Sequence, residues 1–395
     1  MIPYGRQDIS DEDIAAVVAV LKSDWLTQGP AIERFERKVA DYCGARFAIA
    51  VSNATAALHL ACLVLGVRAG DKVWTSPNTF VASANCARYC GADVAFIDID
   101  PDTYNLSVAA LEARLEAASK NGCVPKVVIP VHFSGQSCDM KAIHALAGRY
   151  GFSVLEDASH AIGGRYDGKP IGNCEYADAA VFSFHPVKIV TSGEGGMVTT
   201  NDETLWRSMW SYKDHGKSYA AVYEREHAPG FRWLHESFGT NWRMLEMQAV
   251  IGRIQLKRMA DWSAKRRAYG EQIWATCRQF AALSVPDVPA DSQHAHYKCY
   301  VYVRPELLAE GWSRDRIVAQ INALGVPCFQ GTCSEVYLEK AFDGSGLRPA
   351  QRLPVAQALG ETSMMFLVHP TLTPAEVEKT CAVIATVMGQ ACLNA

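Results

Sequence analysis

The segment Phe152-Ser153-Val154-Leu155-Glu156-Asp157 decides the fold that the sequence predicts. It is a short apolar run that ends in two acids, and it follows a helical pattern capped by Asp139. Short apolar runs of the same kind alternate with helical patterns through the first two-thirds of the chain, at 47–51, 72–75, 94–98 and 126–131. Strands that are apolar throughout and separated by helices are typical of a mostly parallel sheet covered by helices on both faces.

The pattern changes after about residue 200, which predicts a second, smaller domain. The elements predicted beyond that point are a long loop, a long helix, a strand and two further helices, at 215–240, 244–278, 297–303, 313–324 and 374–390. We therefore expect an α/β protein with a large domain over residues 1–243 and a smaller α+β domain over residues 244–395.

The overall composition argues against several classes of protein. The 395 residues carry a formal net charge of −4, so neither a polyanion-binding surface nor a nucleic-acid partner is expected. No apolar run is long enough for a membrane span, and residues 1–8 lack the pattern of a signal peptide, so a cytoplasmic protein is expected. The 13 cysteines are scattered without a Cys-x-x-Cys pair, which predicts reduced thiols and no metal site.

A lysine and an aspartate are spaced as in one kind of cofactor site. Lys188 ends the segment Phe182-Ser183-Phe184-His185-Pro186-Val187-Lys188, 31 residues after Asp157. Ligands of an open parallel sheet bind at the carboxyl ends of its strands, where Asp157 is predicted to lie. A carboxylate there favours a protonated pyridine nitrogen, and a lysine amine can form a Schiff base with an aldehyde. The two residues therefore predict a site for pyridoxal 5′-phosphate (PLP).

Each of these two residues also has a purely structural interpretation. Asp157 is a possible N-cap of a following helix, and Lys188 is a possible surface lysine on a turn. The preceding His185-Pro186 and the glycine-rich stretch at 193–196 argue against an ordinary solvated face around Lys188. The occurrence of both residues in this order favours the cofactor site.

The phosphate and the ring of such a cofactor need partners of their own. Residues 52–56 follow a strand and open a helix, where free backbone N–H groups and the helix dipole bind anions, and Ser183 can add a hydroxyl. Phe80 can stack on the ring, and His160 can reach the cofactor's phenolic oxygen or the ring. The alternatives are simple N-capping for the turn, a core position for Phe80 and a structural role for His160.

In combination, these segments resemble the DegT/DnrJ/EryC1/StrS family of sugar aminotransferases, which are aspartate aminotransferase-like PLP enzymes of fold type I. The similarity covers most of the chain, and the ordered set of motifs is specific. The motifs are Pro3 to Gln7, Trp25 to Pro30, Ser52 to Leu58, Pro77 to Ala82, Pro130 to Gln136, Glu156 to Ala161, Phe182 to Lys188, Gly193 to Gly196 and Gly239 to Met244.

The resemblance implies a role for each residue around the cofactor ring. Lys188 would be the Schiff-base lysine, and Asp157 would bind the pyridine nitrogen. Phe80 would stack on the ring, and His160 would lie near the cofactor oxygen.

The resemblance also implies a phosphate site that two subunits share. Ala54, Thr55 and Ser183 would hold the phosphate within one subunit. Asn241 would reach it from the neighbouring subunit of a homodimer with two active sites at the interface. The long loop predicted over 215–240 fits such an arrangement, because it has no obvious function within one subunit.

The reaction implied by the resemblance moves an amino group from L-glutamate to a nucleotide-linked keto-sugar, with pyridoxamine 5′-phosphate as the intermediate. The motif Trp25 to Pro30 is most similar to enzymes that act at C4 of UDP-4-keto-6-deoxy-N-acetylhexosamines, of the pseudaminic acid type, for surface glycans. The loop Val326 to Tyr337 lacks the histidines usual in those enzymes. Amination of a dTDP- or GDP-4-keto-6-deoxyhexose, or at C3, therefore stays open.

Other functions fit the sequence less well. Some relatives are PLP-dependent sugar dehydratases in which a histidine replaces the lysine, whereas Lys188 is present here. A PLP-binding regulator needs an appended effector or DNA-binding module, and the predicted fold uses the whole chain. A nucleotide-binding Rossmann domain is disfavoured because no Gly-x-Gly-x-x-Gly follows the first strand.

Overall fold

The computed structural model describes residue 2 and residues 6–226, 230 and 232–392. Within these residues the helices are α1 (Asp11–Leu21), α2 (Pro30–Cys43), α3 (Ala54–Val64), α4 (Ala82–Tyr89), α5 (Val108–Lys120), α6 (Met140–Tyr150), α7 (Glu203–Lys213), α8 (Tyr219–Tyr223), α9 (Glu246–Lys257), α10 (Met259–Cys277), α11 (Arg314–Ala323), α12 (Pro354–Thr362) and α13 (Pro374–Ala391). The strands are β1 (Phe47–Val51), β2 (Lys72–Thr75), β3 (Asp93–Phe96), β4 (Val127–Ile129), β5 (Ser153–Asp157), β6 (Arg165–Tyr166), β7 (Lys169–Pro170), β8 (Ala179–Ser183), β9 (Gly196–Thr200), β10 (Leu283–Ser284), β11 (Ser292–Gln293), β12 (Cys299–Val303), β13 (Cys328–Phe329) and β14 (Ser363–Phe366). Pro3, Tyr4 and Gly5 of the first motif lie outside the described residues.

A seven-stranded sheet with the order β1-β9-β8-β5-β4-β2-β3 forms the centre of the first two-thirds of the chain. Only β9 runs against its neighbours β1 and β8, and the other neighbouring strands are parallel. One face of the sheet packs against α3 and α4. The other face packs against α2 in one part and against α5 and α6 in another. The predicted α/β fold with a mostly parallel, helix-covered sheet is therefore confirmed.

The C-terminal part of the chain builds a separate antiparallel sheet with the order β10-β12-β14-β13. The buried side chains of these strands pack with α10, α11 and α13 around Trp274, which is fully buried. A small sheet with the order β11-β6-β7, which the sequence pattern did not predict, also occurs. The division into domains at residue 243 stays a prediction.

The single helix predicted over 244–278 is two helices, because the chain turns at Arg258 between α9 and α10. Arg258 ends α9 with a tightened turn in which its N–H bonds to the carbonyl of Gln255 at 3.0 Å. Its guanidinium binds Asp13 at 2.7 Å and lies over the Trp262 ring. The helical period continues across this bend, so the apolar pattern alone does not reveal it.

A buried carboxylate caps the second helix from a distant part of the chain. Gly29, the N-cap residue of α2, has no side chain that can bind the free N–H groups of the first turn. Glu246, at the start of α9, accepts hydrogen bonds from the N–H groups of Gly29, Ala31 and Ile32 at 3.0, 2.8 and 3.3 Å. Its negative charge also opposes the positive end of the helix dipole. Glu246 thus joins α2 and α9.

We expect Glu246→Ala to lower the free energy of unfolding by ~2–4 kcal/mol, because it leaves three N–H groups, two of them buried, without an acceptor. Glu246→Gln keeps one acceptor oxygen and should lose about half as much. Urea unfolding of the cofactor-free protein measures both values. Glu33→Ala is the matched control, since Glu33 lies in the first turn of α2 and its carboxylate forms an exposed ion pair with Arg37. Equal effects of Glu246→Ala and Glu33→Ala would contradict this role.

Among the described residues, no helix has the length and apolar character needed to cross a membrane. The same residues contain no group of three or more His, Cys, Asp or Glu side chains arranged to hold a metal ion.

Candidate active site

Asp157 lies at the carboxyl end of β5, near the middle of the seven-stranded sheet, and its side chain is buried. One carboxylate oxygen accepts a hydrogen bond from Ser83 Oγ at 2.6 Å, and the other accepts the N–H of Ser159 at 3.1 Å. Ser83 Oγ in turn lies 2.8 Å from Thr79 Oγ1. Hydrogen bonds of this kind hold the carboxylate in one orientation.

The alternative in which Asp157 caps a following helix is wrong. The chain continues from Asp157 through a series of turns to β6, and the described residues of this segment contain no helix. The bond to the Ser159 N–H is confined to one such turn. The carboxylate is therefore held at the end of its strand without a helix to cap.

The neighbouring acid, Glu156, has a different and structural environment. Its carboxylate lies 2.8 Å from Nε2 of His132, and both side chains are buried. Nδ1 of His132 accepts the N–H of Cys138 at 3.1 Å, so the ring has its proton on Nε2 and donates it to Glu156. This pair ties the end of β5 to the segment after β4.

Lys188 lies in the turn that connects β8 to β9, and it is half-buried. Burial lowers the pKa of Lys188 to about 8, although the charge of Asp157 acts in the opposite direction. A lysine with this pKa has a substantial neutral fraction at pH 7–8 and can act as a nucleophile. Lys188 is therefore not the exposed surface lysine of the structural alternative.

The ring of Tyr297 is the common neighbour of several site residues. Nζ of Lys188 lies 4.7 Å from the centroid of this ring, and Nζ of Lys298 lies 5.4 Å from it. The His160 ring stacks on Tyr297 with centroids 4.4 Å apart and planes inclined by 18°. Burial and the charges of both lysines hold the pKa of His160 well below its usual value, so His160 is neutral. Its Nδ1 is buried and lacks a hydrogen-bond partner among the described residues.

The predicted phosphate turn is completed by strand β9. Gly196 pairs with Val51 at the end of β1 on one side and with Ser183 at the end of β8 on the other. This register brings Ser183 beside the turn that opens α3. A side chain at position 196 would collide with the turn, because its Cβ would lie 2.5 Å from the carbonyl carbon of Asn53. Only glycine permits this close approach.

The first N–H groups of α3 are available to a ligand. Asn53 accepts the N–H of Ala56 with its side chain at 2.8 Å and the N–H of Ala57 with its carbonyl. The N–H groups of Ala54 and Thr55 precede these and cannot bond within the helix. Asn53 thus caps α3, as the structural alternative predicts. The N–H groups of Ala54 and Thr55 remain as two donors at the positive end of the helix dipole.

Phe80 and Asn241 are both exposed in the single chain. The Phe80 side chain, just before α4, is 64% exposed, so the alternative of a core phenylalanine is wrong. Asn241 forms an isolated antiparallel bridge with Asp214, and the next residue, Trp242, accepts the N–H of Ser52 with its carbonyl. The chain at Asn241 therefore passes directly beside the segment that leads into the phosphate turn.

Three residues of the site were missed by the sequence analysis. Ser83 lies four residues after Thr79 and just beyond the motif Pro77 to Ala82, which was noticed only for Phe80, and the spacing of these two hydroxyls is a usable signal. Tyr297 and Lys298 lie just before β12 of the C-terminal sheet. Their proximity to Lys188 follows from tertiary packing, and no local pattern indicates it.

Comparisons with known proteins agree over nearly the whole chain. The model of the DegT/DnrJ/EryC1/StrS aminotransferase family matches residues 7–385. The spore coat polysaccharide biosynthesis protein SpsC of Bacillus subtilis (strain 168) is 40% identical over 294 residues, which are 74% of this chain and 74% of SpsC. The GDP-perosamine synthase of Caulobacter vibrioides (strain ATCC 19089 / CIP 103742 / CB 15) is 34% identical over 391 residues, which are 97% of this chain and 96% of that protein. An aminotransferase from Psychrobacter cryohalolentis, known from an X-ray structure, is 48% identical and superposes with a TM-score of 0.92, covering 98% of this chain and 99% of that one.

Proposed function

Because the chain belongs to the DegT/DnrJ/EryC1/StrS aminotransferase family, we propose that it transfers the amino group of L-glutamate to a nucleotide-linked keto-deoxy-sugar. The family predicted from the motifs is confirmed, and the protein is a PLP-dependent sugar aminotransferase. The donor, the exact sugar and the residue roles below are proposals. The observation that carries them is a lysine of lowered pKa that feels the charge of a buried, hydrogen-bonded aspartate at the carboxyl end of β5.

The residues of the site fit the chemical groups of PLP. Two free N–H groups at the start of α3, at Ala54 and Thr55, and the hydroxyl of Ser183 suit the phosphate. The oriented carboxylate of Asp157 suits the pyridine nitrogen. The buried Nδ1 of His160 can form a hydrogen bond with the phenolic oxygen of the cofactor. When bound, PLP supplies an aldehyde that takes up the amino group and a protonated ring that accepts electrons.

Each residue has a defined task in this proposal. With PLP bound, Lys188 would be the residue that holds its aldehyde, and the Lys188 amine, when free, would be placed to move a proton at the reacting carbon. The negative charge of Asp157 would favour a proton on the pyridine nitrogen, and Ser83 holds the carboxylate in place. The exposed ring of Phe80 would stack on the bound cofactor and exclude water from it.

We also propose that Asn241 completes the phosphate site of a partner subunit in a homodimer. Several large apolar side chains are exposed in the same region of the chain: Tyr223 at 65%, Trp233 at 91% and Phe238 at 98%. Exposed apolar side chains that lie close together in a chain are typical of protein interfaces. Asn241 follows them closely and is exposed as well.

The substrate is the finer part of the proposal. The loop before α12 lies beside the cofactor-binding edge, because the N–H of Val336 donates to the carbonyl of Pro77 at 3.0 Å and Tyr337 packs on Phe96. This loop carries Glu335, bound to Arg352 and Tyr337, and has no histidine. The motif Trp25 to Pro30 supports a UDP-4-keto-6-deoxy-N-acetylhexosamine. The similarity to a GDP-perosamine synthase over 97% of the chain supports a GDP-linked 4-keto-6-deoxyhexose as the second candidate.

Two experiments test this function. Addition of L-glutamate to the purified, PLP-loaded enzyme should remove the visible absorbance of the lysine-bound cofactor and release one 2-oxoglutarate per active site. A panel of UDP-, dTDP- and GDP-linked 4-keto-6-deoxy-sugars should then restore the band with only one class of substrate and yield an amino-sugar. L-Aspartate serves as the control donor.

Different failures have different meanings. An unchanged band with glutamate but a change with another amino acid refutes the donor. Loss of the sugar's hydroxyl without formation of 2-oxoglutarate indicates a dehydratase instead of an aminotransferase.

A further inference from the structure

A short chain of buried hydroxyl groups ends at the aspartate of the site. Ser83 Oγ donates a hydrogen bond to Oδ2 of Asp157 at 2.6 Å, and Oγ1 of Thr79 lies 2.8 Å from Ser83 Oγ. All three residues are buried, and Thr79 is only 1% exposed. Hydrogen bonds that follow one another in a buried chain strengthen and orient each other, so the outermost hydroxyl can influence the carboxylate without touching it.

The direction of each bond in this chain follows from the number of protons. A carboxylate can only accept hydrogen bonds, so the single hydroxyl proton of Ser83 points at Asp157. Ser83 Oγ then has lone pairs but no proton for Thr79, and the Thr79 hydroxyl is therefore the donor in the second bond. The chain runs in one direction, from Thr79 through Ser83 to Asp157.

The Thr79 hydroxyl restricts the orientation of the Ser83 hydroxyl. Ser83 lies in the first turn of α4, and a serine in a helix can turn its hydroxyl to a backbone carbonyl three or four residues earlier instead of to another side chain. In this structure the Thr79 hydroxyl points at one lone pair of Ser83 Oγ, so the Ser83 proton has to point to another side. Asp157 is the acceptor on that side.

Backbone hydrogen bonds fix the place of Thr79 itself. Its N–H donates to the carbonyl of Pro77 at 3.1 Å, and the same carbonyl accepts the N–H of Val336, from the loop before α12, at 3.0 Å. Val336 is buried in the core of the central sheet. Because Thr79 is β-branched and has few χ1 rotamers, a fixed backbone also fixes the direction of its hydroxyl.

We propose that Thr79 is a positioning residue of the cofactor site. Its hydroxyl fixes the hydroxyl of Ser83, which in turn holds the Asp157 carboxylate in the orientation that serves the ring nitrogen of the cofactor. This rests on the proposed role of Asp157. Because Thr79 acts only through Ser83, its effect should disappear when the Ser83 hydroxyl is absent.

The test compares two ligands of the full-length chain after removal of the cofactor. One is PLP, and the other is its analogue in which a C–H group replaces the ring nitrogen, with the aldehyde and the phosphate unchanged. The ratio of their dissociation constants, from equilibrium titration, isolates what the site contributes at the ring nitrogen. We expect Thr79→Val to lower the preference for PLP by about 3- to 10-fold, the effect of one buried hydrogen bond. Thr79→Ser keeps the hydroxyl and should retain the native preference.

Two further comparisons separate positioning from a general structural effect. In the Ser83→Ala background, Thr79→Val should cause no additional loss of the preference for PLP. Thr75→Val is the matched control, because Thr75 is a buried threonine whose hydroxyl donates to the carbonyl of Ile129 at 2.8 Å. It should change the affinities for the two ligands equally. If Thr79→Val does not fold, Thr79→Ala compared with Thr79→Ser tests the same hydroxyl.

The outcomes distinguish this proposal from the proposed function. The titration needs neither a sugar nor an amino donor, so a wrong substrate leaves its result unchanged. A native preference for PLP that survives loss of the Thr79 hydroxyl, or an undiminished loss in the Ser83→Ala background, overturns the role of Thr79 alone. Equal affinities of the native protein for PLP and its analogue overturn the role of Asp157 and that of Thr79 with it.

Discussion

Replacement of Lys188 by alanine should reduce amino transfer from L-glutamate by at least ~10⁴-fold, because the nucleophile that binds the aldehyde and moves the proton is lost. The variant should still bind PLP through the turn before α3 and through Asp157. It should not retain PLP after reduction with borohydride, whereas the native protein should carry the reduced cofactor on the peptide that contains Lys188. Formation of 2-oxoglutarate and peptide mapping measure the two effects.

Two further variants serve as controls. One tests whether the charge of Lys188 suffices without its nucleophilic amine, and the other tests whether loss of any lysine lowers activity. Lys188→Arg keeps the positive charge but has no nucleophilic amine, and it should be as inactive as Lys188→Ala. Lys141→Ala removes an exposed lysine that pairs with Asp167, and it should leave activity unchanged. Turnover above one-tenth of the native rate in Lys188→Ala would refute the assignment of Lys188.

Replacement of Asp157 by asparagine should lower turnover by roughly 10²- to 10³-fold. Asparagine can still bind Ser83 and the N–H of Ser159, but it has no charge to favour a proton on the pyridine nitrogen. Loss of an opposite charge beside such a nitrogen lowers its pKa by about 1–3 units, and each unit corresponds to about 1.4 kcal/mol. Initial rates and the absorbance of the bound cofactor at several pH values measure the change.

The control for Asp157 lies in the same hydrogen-bond chain. Ser83→Ala removes the hydroxyl that binds Asp157 Oδ2 at 2.6 Å but keeps the charge. Its effect should correspond to one hydrogen bond to a charged group, about 1.5–3 kcal/mol or roughly 10- to 100-fold, and should be smaller than that of Asp157→Asn. If Ser83→Ala were the more damaging of the two, orientation rather than charge would be the function of Asp157.

Much of the fold and the two central residues follow from local patterns. Apolar strands alternating with helices predict the parallel sheet, and an acid directly after such a strand lies at the edge where ligands bind. Asp157 and Lys188 could be found in this way because each belongs to a motif of contiguous residues. The bend at Arg258 could not, since the helical period of apolar residues passes through it unchanged.

The C-terminal contribution to the site depends on packing between distant segments. Lys298 and Tyr297 lie beside the other site residues because the chain before β12 bonds to Ser134 and Gly135. Nothing in the residues around 298 indicates these partners. Glu246 is similar, because a glutamate at the start of α9 is a common choice for a helix N-terminus and does not reveal that it caps α2.

The position of β9 in the sheet has a consequence for the order in which the site can assemble. β1 leaves the ribosome early, yet its partner in the sheet is β9, which is separated from it by more than a third of the chain. Until Gly196 inserts between Val51 and Ser183, the turn before α3 and the end of β8 have no common neighbour. Such distant pairing closes a long loop and is slow, whereas β2 to β5 can pair with parallel neighbours as they are synthesised. The phosphate-binding end of the site is therefore among the last parts of the sheet to form, although the turn before α3 is among the first of its segments to be translated.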